Sequence, residues 1–243
     1  MSVPDRHTDT TRREGDAVAP GQRRRRLTRR IALALGLAIA AAALAGWKLG
    51  SQSPASTRVA RAVGAGAGIP IPGATNAPNF TLTDQFGHRL TLASLHGREV
   101  LLAFIDSRCT TVCPLTAAIL HRAVEELGPR AKNVQIVAVN ADPAATRVSD
   151  VYRFSADTGM LGTWRFVTGS PTALKAVYRH YQVYVCVKHD GQVIHTAAMY
   201  VIDPSGHERL YLESIDSRAS STMASETAAV TQGLREFLPT RPS

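Results

Sequence analysis

Cys109 and Cys113 stand in the run Asp106-Ser107-Arg108-Cys109-Thr110-Thr111-Val112-Cys113-Pro114. A thiolate is both a nucleophile and a soft metal ligand, so two this close can exchange disulfides or share one metal ion. Three residues separate them, where redox dithiols more often have two. On one helical turn, positions four apart share a face, and both sulfurs could then approach one ion. A structural disulfide and two inert buried thiols are the other readings of the pair.

The elements around the pair favour chemistry. Val100 to Ile105 is a continuous apolar run of strand length, the pattern of a strand buried on both faces. Residues 114–127 read as a helix, with Leu115, Ala118, Ile119, Val124 and Leu127 near helical spacing, Pro114 in the first turn and Gly128-Pro129 as the stop. The cysteines therefore fall at the carboxyl end of a strand and the amino end of a helix, where ligands gather in open α/β sheets. Unpaired N–H groups and the helix dipole lower a thiol pKa there, and Arg108 is expected to add to that.

The rest of the chain alternates in the same way. Strands are expected at 80–83, 89–92, 134–139, 164–167, 183–187, 197–202 and 209–212, and helices at 147–156, 171–178 and 222–238. The fold class predicted is α/β, a central mixed sheet with helices on both faces, preceded by one N-terminal transmembrane helix or signal anchor.

Charge locates that anchor. The 243 residues carry 28 Lys plus Arg against 19 Asp plus Glu, a formal +9. Residues 1–50 hold ten of those basic groups against four acidic ones, so +6 of the +9 lies there. The near-neutral remainder removes the main support for nucleic-acid binding. Three cysteines in so long a chain likewise exclude a disulfide-stapled miniprotein. Ile31 to Trp47 is uncharged and follows Arg23-Arg24-Arg25-Arg26 and Arg29-Arg30. Such a run is an export signal or an anchor, short for a span of about 17–25 residues but sufficient. Arginines in front set the orientation, with everything after residue 50 outside the cytoplasm. Ala43-Leu44-Ala45 offers a cleavage site and Thr28-Arg29-Arg30 loosely resembles a twin-arginine signal, but an uncleaved single span is the expectation. The organisation read is a basic cytoplasmic tail over 1–30, an anchor over 31–49, a Gly/Pro-rich linker over 50–75 and a folded domain over 76–239.

Several segments in fixed order resemble the Sco/SenC family. They are Phe80-Thr81-Leu82-Thr83-Asp84, the strand at 100–105, Cys109-x-x-x-Cys113-Pro114, Val139-Asn140-Ala141-Asp142-Pro143 and the stretch from His195 through Tyr200-Val201-Ile202-Asp203-Pro204-Ser205-Gly206. The resemblance spans roughly residues 75–238. It implies a membrane-anchored, thioredoxin-like copper-binding domain and places the copper ligands on Cys109, Cys113 and His195. It also implies one copper ion and a copper-accepting membrane partner such as a cytochrome c oxidase subunit, at the dinuclear copper site. Two soft thiolates and an imidazole suit monovalent copper. Two functions follow: a metallochaperone, or a thiol–disulfide oxidoreductase with Cys109 attacking and Cys113 resolving. Around the ligands the chain departs from the family, with Thr110 after Cys109, Ala144-Ala145-Thr146 after Pro143, and Ile194 before His195. Among the other histidines, His189 on a hairpin turn is the second choice as ligand. His88, His96, His121, His180 and His207 read as surface residues, and Cys186 as a small core residue.

Overall fold

The computed structural model describes residues 68–213 and 222–238. The basic tail, the expected anchor at 31–49 and most of the expected linker lie outside the described residues. Among the described residues, no helix is long and apolar enough to cross a membrane.

Ten strands are described: β1 (Ile69–Asn76), β2 (Thr81–Thr83), β3 (Arg89–Thr91), β4 (Glu99–Ile105), β5 (Val134–Asn140), β6 (Trp164–Val167), β7 (Val185–Val187), β8 (Val193–His195), β9 (Ala198–Ile202) and β10 (His207–Glu213). Four α-helices accompany them: α1 (Val112–Leu127), α2 (Val148–Asp157), α3 (Pro171–His180) and α4 (Met223–Phe237). Six strands make one sheet in the order β1-β10-β9-β4-β5-β6. The β4-β5-β6 side is parallel, and β9, β10 and β1 add on antiparallel. The mixed sheet is therefore as expected from the sequence. Two short hairpins, β2–β3 and β7–β8, stand apart from it.

All seven residues of β4 are buried, because helices cover both faces. Leu101, Ala103 and Ile105 pack into one cluster with α1, α2 and α4, through Ala117, Leu120, Phe154, Val230 and Leu234. Val100, Leu102 and Phe104 pack into the other with Leu174, Val177 and Tyr178 of α3 and with Phe80 and Leu82. This two-sided burial is the reason the strand shows no polar alternation in sequence.

β1 was not legible as a strand, since it lies inside the Gly/Pro-rich stretch. Pairing decides it: Ile69 opposes Tyr211, Pro70 opposes Leu210 and Thr75 opposes Glu208, with an irregularity between Pro70 and Thr75. An edge strand tolerates prolines that a central strand would reject.

Glu99 is the anomaly of the core. It opens β4 with 0% exposure, and neither carboxylate oxygen has a hydrogen-bond partner among the described residues. Burial pushes its pKa up to about 8, with Arg130 opposing and Asp203 adding to the rise. The folded state thus holds a proton that the unfolded chain releases near 4.5. Stability from this group is complete below that lower value and is lost as pH climbs toward 8. The loss is on the order of 3 kcal/mol by pH 7. Glu99→Gln is expected to be more stable than the parent at pH 7–8, with the difference vanishing near pH 4 in paired urea denaturations. An equal difference at every pH would contradict a buried, protonated Glu99.

Candidate metal centre

The chain leaves β4 at Ile105 and turns through Asp106 to Cys109, whose N–H donates to the Asp106 carbonyl at 3.3 Å. Helix α1 begins at Val112, two residues before the position that Pro114 suggested. Cys113 therefore sits buried in the first helical turn, while Cys109 lies in the preceding loop. The two cysteines do not share a helical face, as their spacing had suggested; the loop brings them together instead. Thr111 is the N-cap residue, but its side chain caps no N–H. The Cys109 sulfur takes that place, accepting the Cys113 N–H at 3.5 Å and lying 3.7 Å from the Thr111 hydroxyl. An orphan donor at a helix start is thus satisfied by sulfur.

Neither cysteine is in a disulfide. The Cys113 thiol donates to the Cys109 sulfur, and with the N–H groups of Cys113 and Thr111 this holds the Cys109 pKa down at about 4, against the effect of burial. The same shared proton, together with burial, pushes Cys113 up. The pair is one thiolate and one thiol.

His195 ends β8, where it pairs with Val185 of β7. Its Nδ1 lies 3.0 Å from the Thr196 carbonyl. A carbonyl only accepts, so Nδ1 carries a hydrogen and Nε2 is the ring nitrogen available to a metal in the neutral imidazole. That Nε2 lies 3.9 Å from the Cys113 sulfur. Cys109, Cys113, His195, Asp106 and Met199 line a single cleft of about 340 Å³. Among the described residues no group of three or more His, Cys, Asp or Glu side chains is gathered closely enough to hold a metal ion. The three sequence-predicted donors line one cleft, and two sulfurs and an imidazole nitrogen are donor types that fit copper.

A second loop locks the cysteine loop in place. The Arg108 guanidinium binds the fully buried Asp142 carboxylate, Nε to Oδ2 at 2.5 Å and again through its terminal nitrogen. The Asn140 side chain accepts from the N–H groups of Ser107 and Asp142 and donates to the carbonyls of Asp142 and Ala145. Tyr178 donates to the Asn140 carbonyl at 2.6 Å. Arg108, expected to lower the thiol pKa, has its charge engaged by Asp142 instead, and the pull on Cys109 comes from neighbouring hydrogen bonds. Asp106 went unremarked in the sequence. It is 6% exposed, and burial raises its pKa against the hydrogen bond from the Arg108 N–H.

The remaining candidates fall elsewhere. His189 is exposed in the β7–β8 turn and does not line the cleft. Cys186 is half-buried on β7 opposite Ile194, not in the core, because a two-stranded hairpin has no second layer to bury it. His88, His96 and His180 are exposed. His121 and His207 are half-buried in local pairs, with Thr163 and with Asp203.

A family model described as SCO1/SenC matches residues 70–232. The chain belongs to the SCO1/SenC family. A bovine relative, the mitochondrial protein SCO2 homologue, is 30% identical over 205 residues, covering 81% of this chain and 71% of that protein. The copper-bound crystal structure of ScoI from Arabidopsis thaliana superposes with a TM-score of 0.57 at 24% identity, covering 67% of this chain and 100% of that one. BsSco, described as having a disulfide switch and as a member of the Sco family of cytochrome c oxidase assembly proteins, gives a TM-score of 0.54 at 23% identity, covering 69% and 98%. At such identities the likeness shows the fold, a mixed α/β arrangement shared with Sco proteins.

In this SCO1/SenC domain the thiolate is assigned to one sulfur. Iodoacetamide at pH 6 is expected to label Cys109 and leave Cys113, as read by peptide mass spectrometry. Cys113→Ala removes the donated proton, so Cys109 labelling at pH 6 drops by roughly tenfold yet is retained at pH 9. Equal labelling of both cysteines at pH 6 would overturn the assignment.

Proposed function

We propose that this chain is a copper metallochaperone of cytochrome c oxidase assembly. It holds one copper ion through Cys109, Cys113 and His195 and passes it to an extracytoplasmic acceptor such as the dinuclear copper site of the oxidase. The observation that carries this reading is the 3.9 Å approach of the His195 Nε2 to the Cys113 sulfur, beside the sulfur of Cys109 in the same cleft. Copper-bound relatives in the same family support the choice of ion. Transfer needs no turnover chemistry, since incoming ligands replace outgoing ones while the ion stays coordinated. The thiols must be reduced to bind, so oxidation to a disulfide switches binding off.

A thiol–disulfide oxidoreductase that keeps the acceptor cysteines reduced is the second reading. The split between a low-pKa Cys109 and a protonated Cys113 favours it, since that is the division between attacking and resolving thiols.

Anaerobic titration of the reduced chain with Cu(I) separates the two. One ion per chain is expected, and His195→Ala weakens binding by about tenfold or more while leaving the dithiol's equilibrium with glutathione unchanged. Unaltered copper affinity in that variant would sink the metallochaperone reading. Disulfide reductase turnover that is lost in Cys109→Ser and kept in His195→Ala would establish the second.

The site is proposed to face the outside of a cell membrane, tethered by residues 31–49 as a single span. Deleting residues 1–50 is expected to move the protein from the membrane fraction to the soluble fraction. A full-length chain recovered wholly in the soluble fraction would contradict the tether.

A further inference from the structure

Asp106 is a carboxylate buried at the cleft without a counter-cation. One of its oxygens accepts the Arg108 N–H at 2.8 Å; the other has no hydrogen-bond partner among the described residues. The side chain is 6% exposed and lines the same cleft as Cys109, Cys113 and His195. The neighbouring buried acid, Asp142, is neutralised by Arg108. No Arg or Lys pairs with Asp106 among the described residues, and only one of its oxygens is engaged, so the other is left to the cleft it shares with both sulfurs and the imidazole. A buried carboxylate without a counter-charge is costly, and a bound cation removes that cost.

The donor chemistry says which cation state. Two sulfurs and one imidazole satisfy monovalent copper, which accepts low coordination numbers and soft ligands. Divalent copper takes more donors, with a preference for nitrogen and oxygen in tetragonal geometry. We propose that Asp106 supplies the fourth donor of this centre, an oxygen ligand used by divalent copper and left unbound by monovalent copper. The proposal rests on the copper-binding reading above and adds a valence preference built into the loop itself. Asp106 directly follows β4, whose last residue Ile105 receives the Ala141 N–H at 2.8 Å, so its backbone is fixed before any ion arrives.

The test compares the wild-type chain with Asp106→Asn and Asp106→Glu, each reduced and titrated separately with a Cu(II) salt and with Cu(I). Asparagine keeps an oxygen to accept the Arg108 N–H, so the loop is retained while the anionic ligand is removed. Asp106→Asn is expected to lose about tenfold or more in Cu(II) affinity, to stay within about twofold for Cu(I), and to show altered copper hyperfine splitting in the Cu(II) EPR spectrum. Asp106→Glu is expected to recover part of the Cu(II) affinity. Unchanged Cu(II) affinity and spectrum in Asp106→Asn, with copper still lost in His195→Ala, would overturn the fourth donor and leave the metallochaperone reading standing. Equal losses for both valences would also overturn it, because the residue would then act only as a support. A wild-type chain that binds neither ion would instead bring down the reading on which the proposal rests.

Discussion

One contact organises the molecule: the Cys113 sulfur meets the His195 ring nitrogen across 82 residues of sequence. Neither residue's own segment can arrange that. The central sheet does it by placing β9 antiparallel beside β4, with Met199 opposite Ala103 and Val201 opposite Leu101. One chain direction then exits β4 toward Cys109 and Cys113, while the other enters β9 from His195, at the same end of the sheet. A register slip of one residue would turn Met199 and Val201 out of the cluster under α1 and α4, so the two-sided core also fixes the site.

Around that contact, charge is distributed by hydrogen bonds more than by ion pairs. The Cys109 sulfur receives a proton's worth of stabilisation from Cys113 and an N–H from the start of α1, which makes it the anionic member of the pair. Arg108 neutralises Asp142, tying the cysteine loop to the loop after β5. At the opposite end of β4, Glu99 is buried with no hydrogen-bond partner among the described residues and holds its proton. The strand that positions the thiols thus carries an ionisable group at each end, with Glu99 at its start and Asp106 just beyond its last residue. The one at the cysteine end lines a ligand cleft, and the one at the far end is fully buried.

The fold class, the buried strands and the cysteine pair were readable because they are local signals: apolar runs of strand length, a helical stop at Gly128-Pro129, and thiols at a strand-to-helix junction. What escaped was set by partners distant in sequence. β1 has the composition of a linker and becomes a strand only through β10. Cys186 has strand neighbours typical of a core, yet its hairpin lacks a covering layer. The spacing of Cys109 and Cys113 suggested a shared helical face, but α1 starts at Val112 and leaves Cys109 in the loop. Arg108 beside a cysteine looked like an electrostatic activator until Asp142, 34 residues on, claimed its guanidinium. Asp106 reads as an ordinary polar residue at a strand end, and only the folded cleft shows it buried beside the thiols. His195 was reached through family resemblance, since nothing in its own strand distinguishes it.

The central claim is that two sulfurs and one ring nitrogen from distant segments form one copper centre. Copper K-edge X-ray absorption of the Cu(I)-loaded chain tests it most directly. The expected coordination shell contains two sulfur scatterers and one nitrogen with the multiple-scattering pattern of imidazole, and the imidazole pattern disappears in His195→Ala. A shell of nitrogen and oxygen alone, or one unchanged by that substitution, would contradict a centre built on Cys109, Cys113 and His195.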